Sequence, residues 1–309
     1  MARQPDAGVL VANAPCSYGA FEITVGVDPR VPDAKEMLDR VAGAGYSGID
    51  LGPVGYLGTS SDLGKRLSSR NLVLAGGYVP LPFSDPEALE AELNYLDSLL
   101  DIFDSCDAGP VPPRPTLADA GSADRRAAPG QAWRRKDLGL DDNGWKRFAG
   151  GVARAVDRCR LRNYEPTFHH HLGTYVEAPW EVERVLELTD VSLCLDTGHL
   201  FAGGGDPVTG LRDWSDRVNH VHIKDARRHV LDQIVADGAP VEEIWRRRAF
   251  CALGTGDASA NEVVITIAAI GYSGWLVVEQ DIFPDRPGFA AQAAADQVAN
   301  RVWLRERGL

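Results

Sequence analysis

The sequence predicts a (β/α)8 TIM barrel forming a single domain over residues 1–309. Three observations lead there. Short apolar runs alternate with longer amphipathic stretches along the chain. The runs are apolar at both parities and rich in β-branched residues, as strands buried on both faces require. In the second half, histidines and acidic residues collect at the carboxyl ends of successive runs, where such barrels build their sites. A doubly wound sheet shares the alternation, but the first strand–helix turn has neither the G-x-G-x-x-G nor the P-loop glycine pattern.

The elements follow in order. The first strand lies in "GVLVANAPCS" (8–17), and a helix over 33–45 starts after Pro32 and stops at Gly45. Strands over "SGIDLG" (47–52) and "LVLAGGYV" (72–79) precede a helix at 85–103, whose leucines recur every three or four residues. The fourth strand, "RPTLADA" (114–120), is the weakest because prolines remove ladder donors. Helix 144–161, strand "EPTFHHH" (165–171), helix 179–188 and strand "VSLCLDT" (191–197) continue the rhythm. Strand "VNHVHIKD" (218–225), helix 259–271, strand "GWLVVEQ" (274–280) and helix 289–307 complete it. Two segments exceed ordinary connections. One is a loop excursion at about 109–136, expected over or beside the barrel mouth; the other is a helical insertion at about 230–250.

Charge narrows the partners. Asp plus Glu is 44 against 32 Lys plus Arg, a net charge of −12, which repels nucleic acid and anionic membranes. The basic stretch "DRRAAPGQAWRRK" (124–136) sits among Pro, Gly and polar residues and reads as a solvated loop. There is no signal-peptide pattern and no apolar run of about 18 residues. Five scattered cysteines (16, 106, 159, 194, 251) imply reduced thiols, so the expected compartment is the cytoplasm. The expected partner is a small molecule; a homo-oligomer fits, with no subunit number indicated.

All seven histidines fall between His169 and His229. Strand five ends in His169, His170 and His171, and strand six in "CLDTGH" with Asp196 and His199. Strand seven places His220, His222 and Lys224 at one parity, and strand eight ends at Glu279. Four consecutive strands thus deliver imidazoles, carboxylates and an ammonium to one rim. Such a donor set suits a divalent metal, Mn²⁺ or Co²⁺ first, with Zn²⁺, Fe²⁺ or Mg²⁺ also admissible. The expected ligands are His169, Asp196, His222 and Glu279. A metal would also offset the repulsion that otherwise raises the pKa of one of two neighbouring carboxylates. Plainer roles compete at each position. Asp196 is also suited to cap a helix, Glu279 to pair with an arginine and Lys224 to pair with a rim carboxylate. His170 has the parity of a hydrogen-bonded wall residue, His220 lies deeper, and His229 is expected at the surface. Cys194 reads as a small buried hydrophobe. Glu177 is either a surface residue or a distant contributor to the site.

The motifs "HHHLGT", "LDTGHL", "NHVHIKD" and "GYSGWLVVEQD" resemble those of the xylose isomerase-like TIM-barrel superfamily of sugar isomerases, epimerases and dehydratases. Within it, "HHHLGT", "LDTGHL" and "GYSGIDLGPVGYLG" (45–58) most resemble the inosose dehydratase family, which acts in inositol catabolism. The chain departs from the superfamily pattern in places. His169 stands where most members have Glu, a feature shared with inosose dehydratases. Asp50 stands for a usual Glu and Leu172 for a usual Met. "NAPCSYGAFEITVG" (13–26) keeps only part of the common "APxSWG" opening.

Resemblance and donor chemistry together imply a metal-dependent carbon–oxygen lyase that dehydrates a polyhydroxy ring ketone such as 2-keto-myo-inositol through an enolate. A keto-sugar or inosose isomerase or epimerase shares the first half of that chemistry. His171 and His199 are the candidate acid and base, and Lys224 a stabiliser of enolate charge. Gly198 is expected to permit a tight turn that returns His199 towards the metal.

Overall fold

The structure, a computed structural model, describes residues 8–309. The barrel strands are β1 (Val9–Asn13), β2 (Gly48–Ile49), β3 (Val73–Leu74), β4 (Gly76–Leu81), β5 (Arg114–Asp119), β6 (Thr167–His169), β7 (Ser192–Asp196) and β8 (Val218–Ile223). After a short pair, β9 (Asp225–Ala226) and β10 (Phe250–Cys251), the last barrel strand is β11 (Gly274–Val278). The main sheet runs β3-β2-β1-β11-β8-β7-β6-β5-β4, all neighbours parallel. β3 and β4 are separated only by Ala75. Its N–H donates to the Ile49 carbonyl (3.0 Å), and its own carbonyl accepts from Arg114 N–H (3.0 Å). Ala75 therefore joins the two ends of the order, and eight strand positions close into a TIM barrel.

The doubtful fourth strand is real. Pro115 lies opposite Gly77 of β4, and pairing with β6 starts one residue later, at Thr116. The proline's missing donor thus falls where β6 requires none.

Helices wrap the barrel: α1 (Ala34–Ala44), α2 (Ser60–Ser68), α3 (Pro86–Asp104), α4 (Ala123–Ala127), α5 (Asp142–Leu161), α6 (Pro179–Leu188), α7 (Thr197–Ala202), α8 (Pro207–Asp213), α9 (Arg228–Ala236), α10 (Glu242–Arg246), α11 (Ala260–Ala269) and α12 (Phe289–Arg305). Caps set their ends. Asp33 accepts from Glu36 N–H (2.8 Å) at the start of α1, and Gly45 ends that helix at φ +87°, a left-handed value that favours glycine. α2, α7 and α8 are absent from the sequence reading, because each is short and rich in Ser, Thr, Gly or Asp.

Alternation along β11 explains how the core supports the site. Trp275 and Val277 pack with Ala12, Ala14 and Ala75 as one buried cluster, and Glu279 continues the same parity upward. The Trp275 indole donates to the Val111 carbonyl (3.2 Å), so this wide side chain costs no unpaired N–H. The larger apolar cluster lies between strands and helices.

The segment at 109–136 holds β5 and α4, and that at 230–250 holds most of α9 and all of α10. They meet: Val241 N–H donates to the Arg126 carbonyl (2.9 Å), and Arg126 faces Glu242 at 3.7 Å. Gly121 sits at φ +75° with its backbone against the Gly173 carbonyl, where a Cβ would lie 2.4 Å from that oxygen. Arg126, Glu242 and Trp245 all line the cavity at the carboxyl end of the barrel. Among the described residues, no helix is long and apolar enough to cross a membrane.

Candidate metal centre and active site

The carboxyl end of the barrel holds a cavity of about 380 Å³, lined by His169, His171, His199, His222, Glu279 and Asp50 among others. Period-two alternation puts His169 and His171 into it and turns His170 away. The His170 Nε2 instead accepts from Asp196 N–H (3.2 Å) in the wall. His229 is exposed on α9, and His220 is fully buried below His222.

His169, Asp196, His222 and Glu279 bring one donor atom each within 4.8 Å of one another. His169 Nε2 lies 3.4 Å from Asp196 Oδ2, and His222 Nδ1 lies 3.2 Å from Glu279 Oε2 and 3.7 Å from Asp196 Oδ2. Four ligands at roughly 2.1 Å from an ion at a tetrahedral centre stand about 3.4 Å apart. The set thus has the spacing of a first coordination sphere. Asp196 serves two ends at once. Oδ1 caps α7 by accepting from His199 N–H (2.8 Å), while buried Oδ2 faces Lys224 Nζ at 3.1 Å and His169 Nε2 at 3.4 Å. Both ring nitrogens of His222 are buried without a hydrogen bond. Such buried nitrogens cost about 1–3 kcal/mol each, and a cation shared with the neighbouring carboxylates would satisfy one of them.

Charge points the same way. Asp196, Glu279 and Asp281 are gathered round Lys224, and Asp50 stands beside His222. The Lys224 Nζ lies 2.8 Å from Asp281, 2.9 Å from Glu279 and 3.1 Å from Asp196. Burial alone would raise Glu279, yet His222 and Lys224 hold it down to about 2. Burial opposes ionisation of Asp196 and Asp281 too, and Lys224 outweighs it, leaving both well below the usual carboxylate range. Burial pushes Asp50 up to about 7. His169 is pulled down to about 4 by burial and is neutral, the form that ligates metals. Asp50 Oδ2 stands 3.6 Å from His222 Nε2, on the far side of the ring from Asp196 and Glu279. A carboxylate there orients a metal-binding imidazole.

A second group stands beside the first. His171, His199 and Asp281 bring donor atoms within the same reach. The His199 Nε2 is 3.1 Å from Lys224 Nζ and 3.4 Å from Asp281 Oδ2. The His171 Nδ1 is 2.8 Å from the Leu172 carbonyl, so the donating tautomer at Nδ1 leaves Nε2 with a free lone pair. Desolvation holds His171 well below the usual imidazole range.

Several sequence expectations change here. Lys224 is fully buried and makes ion pairs with three carboxylates, so its rim-carboxylate alternative is the contact observed. Gly198 has no left-handed backbone. Its lack of a side chain gives room to the stem of Lys224, since a Cβ would lie 2.7 Å from Lys224 Cγ. Glu177 is at neither the surface nor the cavity. It is buried and accepts from Gly173 N–H (2.8 Å) and Ala132 N–H (3.3 Å), tying the excursion to the loop after β6. Asp281 went unread, although it shares the parity of Glu279. Cys16, Phe21, Tyr78, Arg126, Trp245 and Phe283 also line the cavity and come from separate elements and loops with no local motif.

The fold and this donor set define a class. The chain belongs to the family of xylose isomerase-like TIM barrels, whose model matches residues 38–307. An inosose dehydratase from Geobacillus kaustophilus is 28% identical over 255 residues, covering 81% of this chain and 80% of that protein. Two solved structures share the fold. One is the IolI protein with a bound zinc atom, with TM-score 0.69, 12% identity and 95% coverage of each chain. The other is L-ribulose 3-epimerase, with TM-score 0.64, 15% identity, and 95% of this chain and 92% of that one covered.

Proposed function

We propose that the protein is a metal-dependent carbon–oxygen lyase that dehydrates a polyhydroxy ring ketone of the 2-keto-myo-inositol type. One observation carries the reading: four donors from four successive strand ends stand at coordination spacing, beside an imidazole pair that touches none of the backbone ladders. Likeness to inosose dehydratases supports the substrate class.

His169, Asp196, His222 and Glu279 would hold the cation, with Mn²⁺ or Co²⁺ favoured by mixed imidazole and carboxylate donors and Zn²⁺, Fe²⁺ or Mg²⁺ admitted. A divalent ion there supplies Lewis-acid polarisation of the ketone and so acidifies the neighbouring C–H. His171, neutral with Nε2 free, takes that proton. His199 lies against Lys224, and this pair returns a proton to the departing β-hydroxyl. Lys224 keeps negative charge tolerable as the enolate forms. Phe21, Trp245 and Phe283 form a mutually packed aromatic rim that keeps water from the enolate. If the same enolate is reprotonated instead of losing hydroxide, the outcome is isomerisation or epimerisation.

Mass spectrometry separates the outcomes. Incubation of metal-loaded protein with 2-keto-myo-inositol is expected to give a product lighter by one water. A product of unchanged mass and new retention time would assign an isomerase or epimerase instead.

A further inference from the structure

Outside the active site, a cavity of about 610 Å³ opens between the loops that follow β8 and β11. Three arginines line it, Arg227, Arg248 and Arg286, against one carboxylate, Asp296. That carboxylate is already engaged by the side-chain amides of Gln280 (3.2 Å) and Gln292 (2.7 Å). Arg286 pairs with Asp285 at 3.2 Å. Among the described residues, neither Arg227 nor Arg248 forms an ion pair; the Arg227 side chain donates only to the Arg248 carbonyl (3.0 Å). The Nε and Nη2 atoms of Arg248 are buried without a hydrogen bond. Arg248 also holds a left-handed backbone, φ +56°, which costs a non-glycine residue free energy and is kept only where surroundings enforce it.

Three guanidinium groups lining one cavity repel one another unless negative charge offsets them, and they stand out in a protein of net charge −12. Burial first, and then the Arg286 charge, draw Arg248 below the usual guanidinium range, with Asp285 and Asp296 acting the other way. The amino end of α12 points into the same space, begun by Gly288 with no side-chain cap, so its field adds to the positive potential. Phe250 and Phe289 provide apolar walls, the latter beneath the Arg248 guanidinium at 5.9 Å.

We infer that this cavity binds a multiply charged oxyanion of the phosphate class, held by Arg227, Arg248 and Arg286. Guanidinium forks match tetrahedral oxyanions and supply the hydrogen bonds the buried nitrogens of Arg248 lack. The cavity adjoins the active site without belonging to it. Phe250 is common ground, its ring 5.3 Å from that of His199 and 4.9 Å from Lys224 Nζ.

The test is calorimetric titration of the full chain with inorganic phosphate at constant ionic strength, alongside Arg248→Gln and Arg286→Gln. Arg286 is half exposed, so its substitution leaves the fold intact and keeps the test valid if Arg248→Gln misfolds. The expected result is one saturable site per chain, weakened about tenfold or more in either variant. Absence of saturable binding, or equal binding by wild type and Arg286→Gln, would overturn the inference. Equal binding would place the phosphate elsewhere, the metal centre included.

Discussion

The rings of His171 and His199 lie with centroids 3.9 Å apart, the closest ring pair among the described residues. One comes from the end of β6 and the other from the first turn of α7, so their contact is made by the barrel's closure and not by local sequence. His199 contacts Lys224 and Asp281 and stands outside the four-donor set. His199→Ala is therefore expected to keep stoichiometric metal while losing about 10²–10⁴-fold in rate, the usual cost of removing a positioned acid or base. His222→Ala should lose metal and activity together. Metal analysis beside steady-state kinetics checks both, and release of metal by His199→Ala would redraw the ligand set.

Lys224 offers a stability prediction. Its ammonium is fully buried among Asp196, Glu279 and Asp281. Removing one partner from a buried charge group costs about 3–5 kcal/mol, because the remaining charges stay desolvated and unpaired. Lys224→Met should lower metal-free stability by that order in denaturant unfolding. A bound divalent cation should recover part of the loss by taking over the neutralisation. A variant as stable as wild type without metal would show that the carboxylates are neutralised otherwise.

Asp119 gives a pH prediction. It is buried at the end of β5, where Oδ2 accepts from Gly121 N–H and Tyr175 N–H, both at 2.9 Å. Burial nevertheless pushes its pKa up to about 6. The folded value lies above the unfolded one, so the folded state binds the extra proton. The penalty is absent below about pH 4, grows as pH rises, and is complete above about pH 6. Asp119→Asn retains an acceptor oxygen without the charge. It should match wild type in stability near pH 4 and exceed it by about 1–3 kcal/mol at pH 7.5. An advantage that does not change with pH would contradict this.

How much was legible follows from period and distance. Alternation along single strands separated His169 and His171 from His170, and aligned His220, His222 and Lys224. The same rule applied one step further would have reached Asp281 from Glu279. Asp196 showed both of its readings in "CLDTGH", and the structure realises the cap with one oxygen while turning the other to Lys224 and His169. Contacts between separate loops were not legible. The meeting of Arg126 with Glu242, the burial of Glu177 and the aromatic rim of Phe21, Trp245 and Phe283 join residues far apart in sequence. Gly198 was noticed for the wrong reason, since backbone freedom and room for a neighbour's stem look alike in sequence.

The proposed lyase chemistry requires that His169, Asp196, His222 and Glu279 together hold one divalent cation. Elemental analysis of purified wild type and Glu279→Gln, each loaded with Mn²⁺ or Co²⁺ and desalted, tests it most directly. One equivalent of metal per chain is expected in wild type and almost none in Glu279→Gln, with unchanged circular dichroism. Full activity of metal-free wild type in excess chelator, or one equivalent retained by the variant, would contradict it.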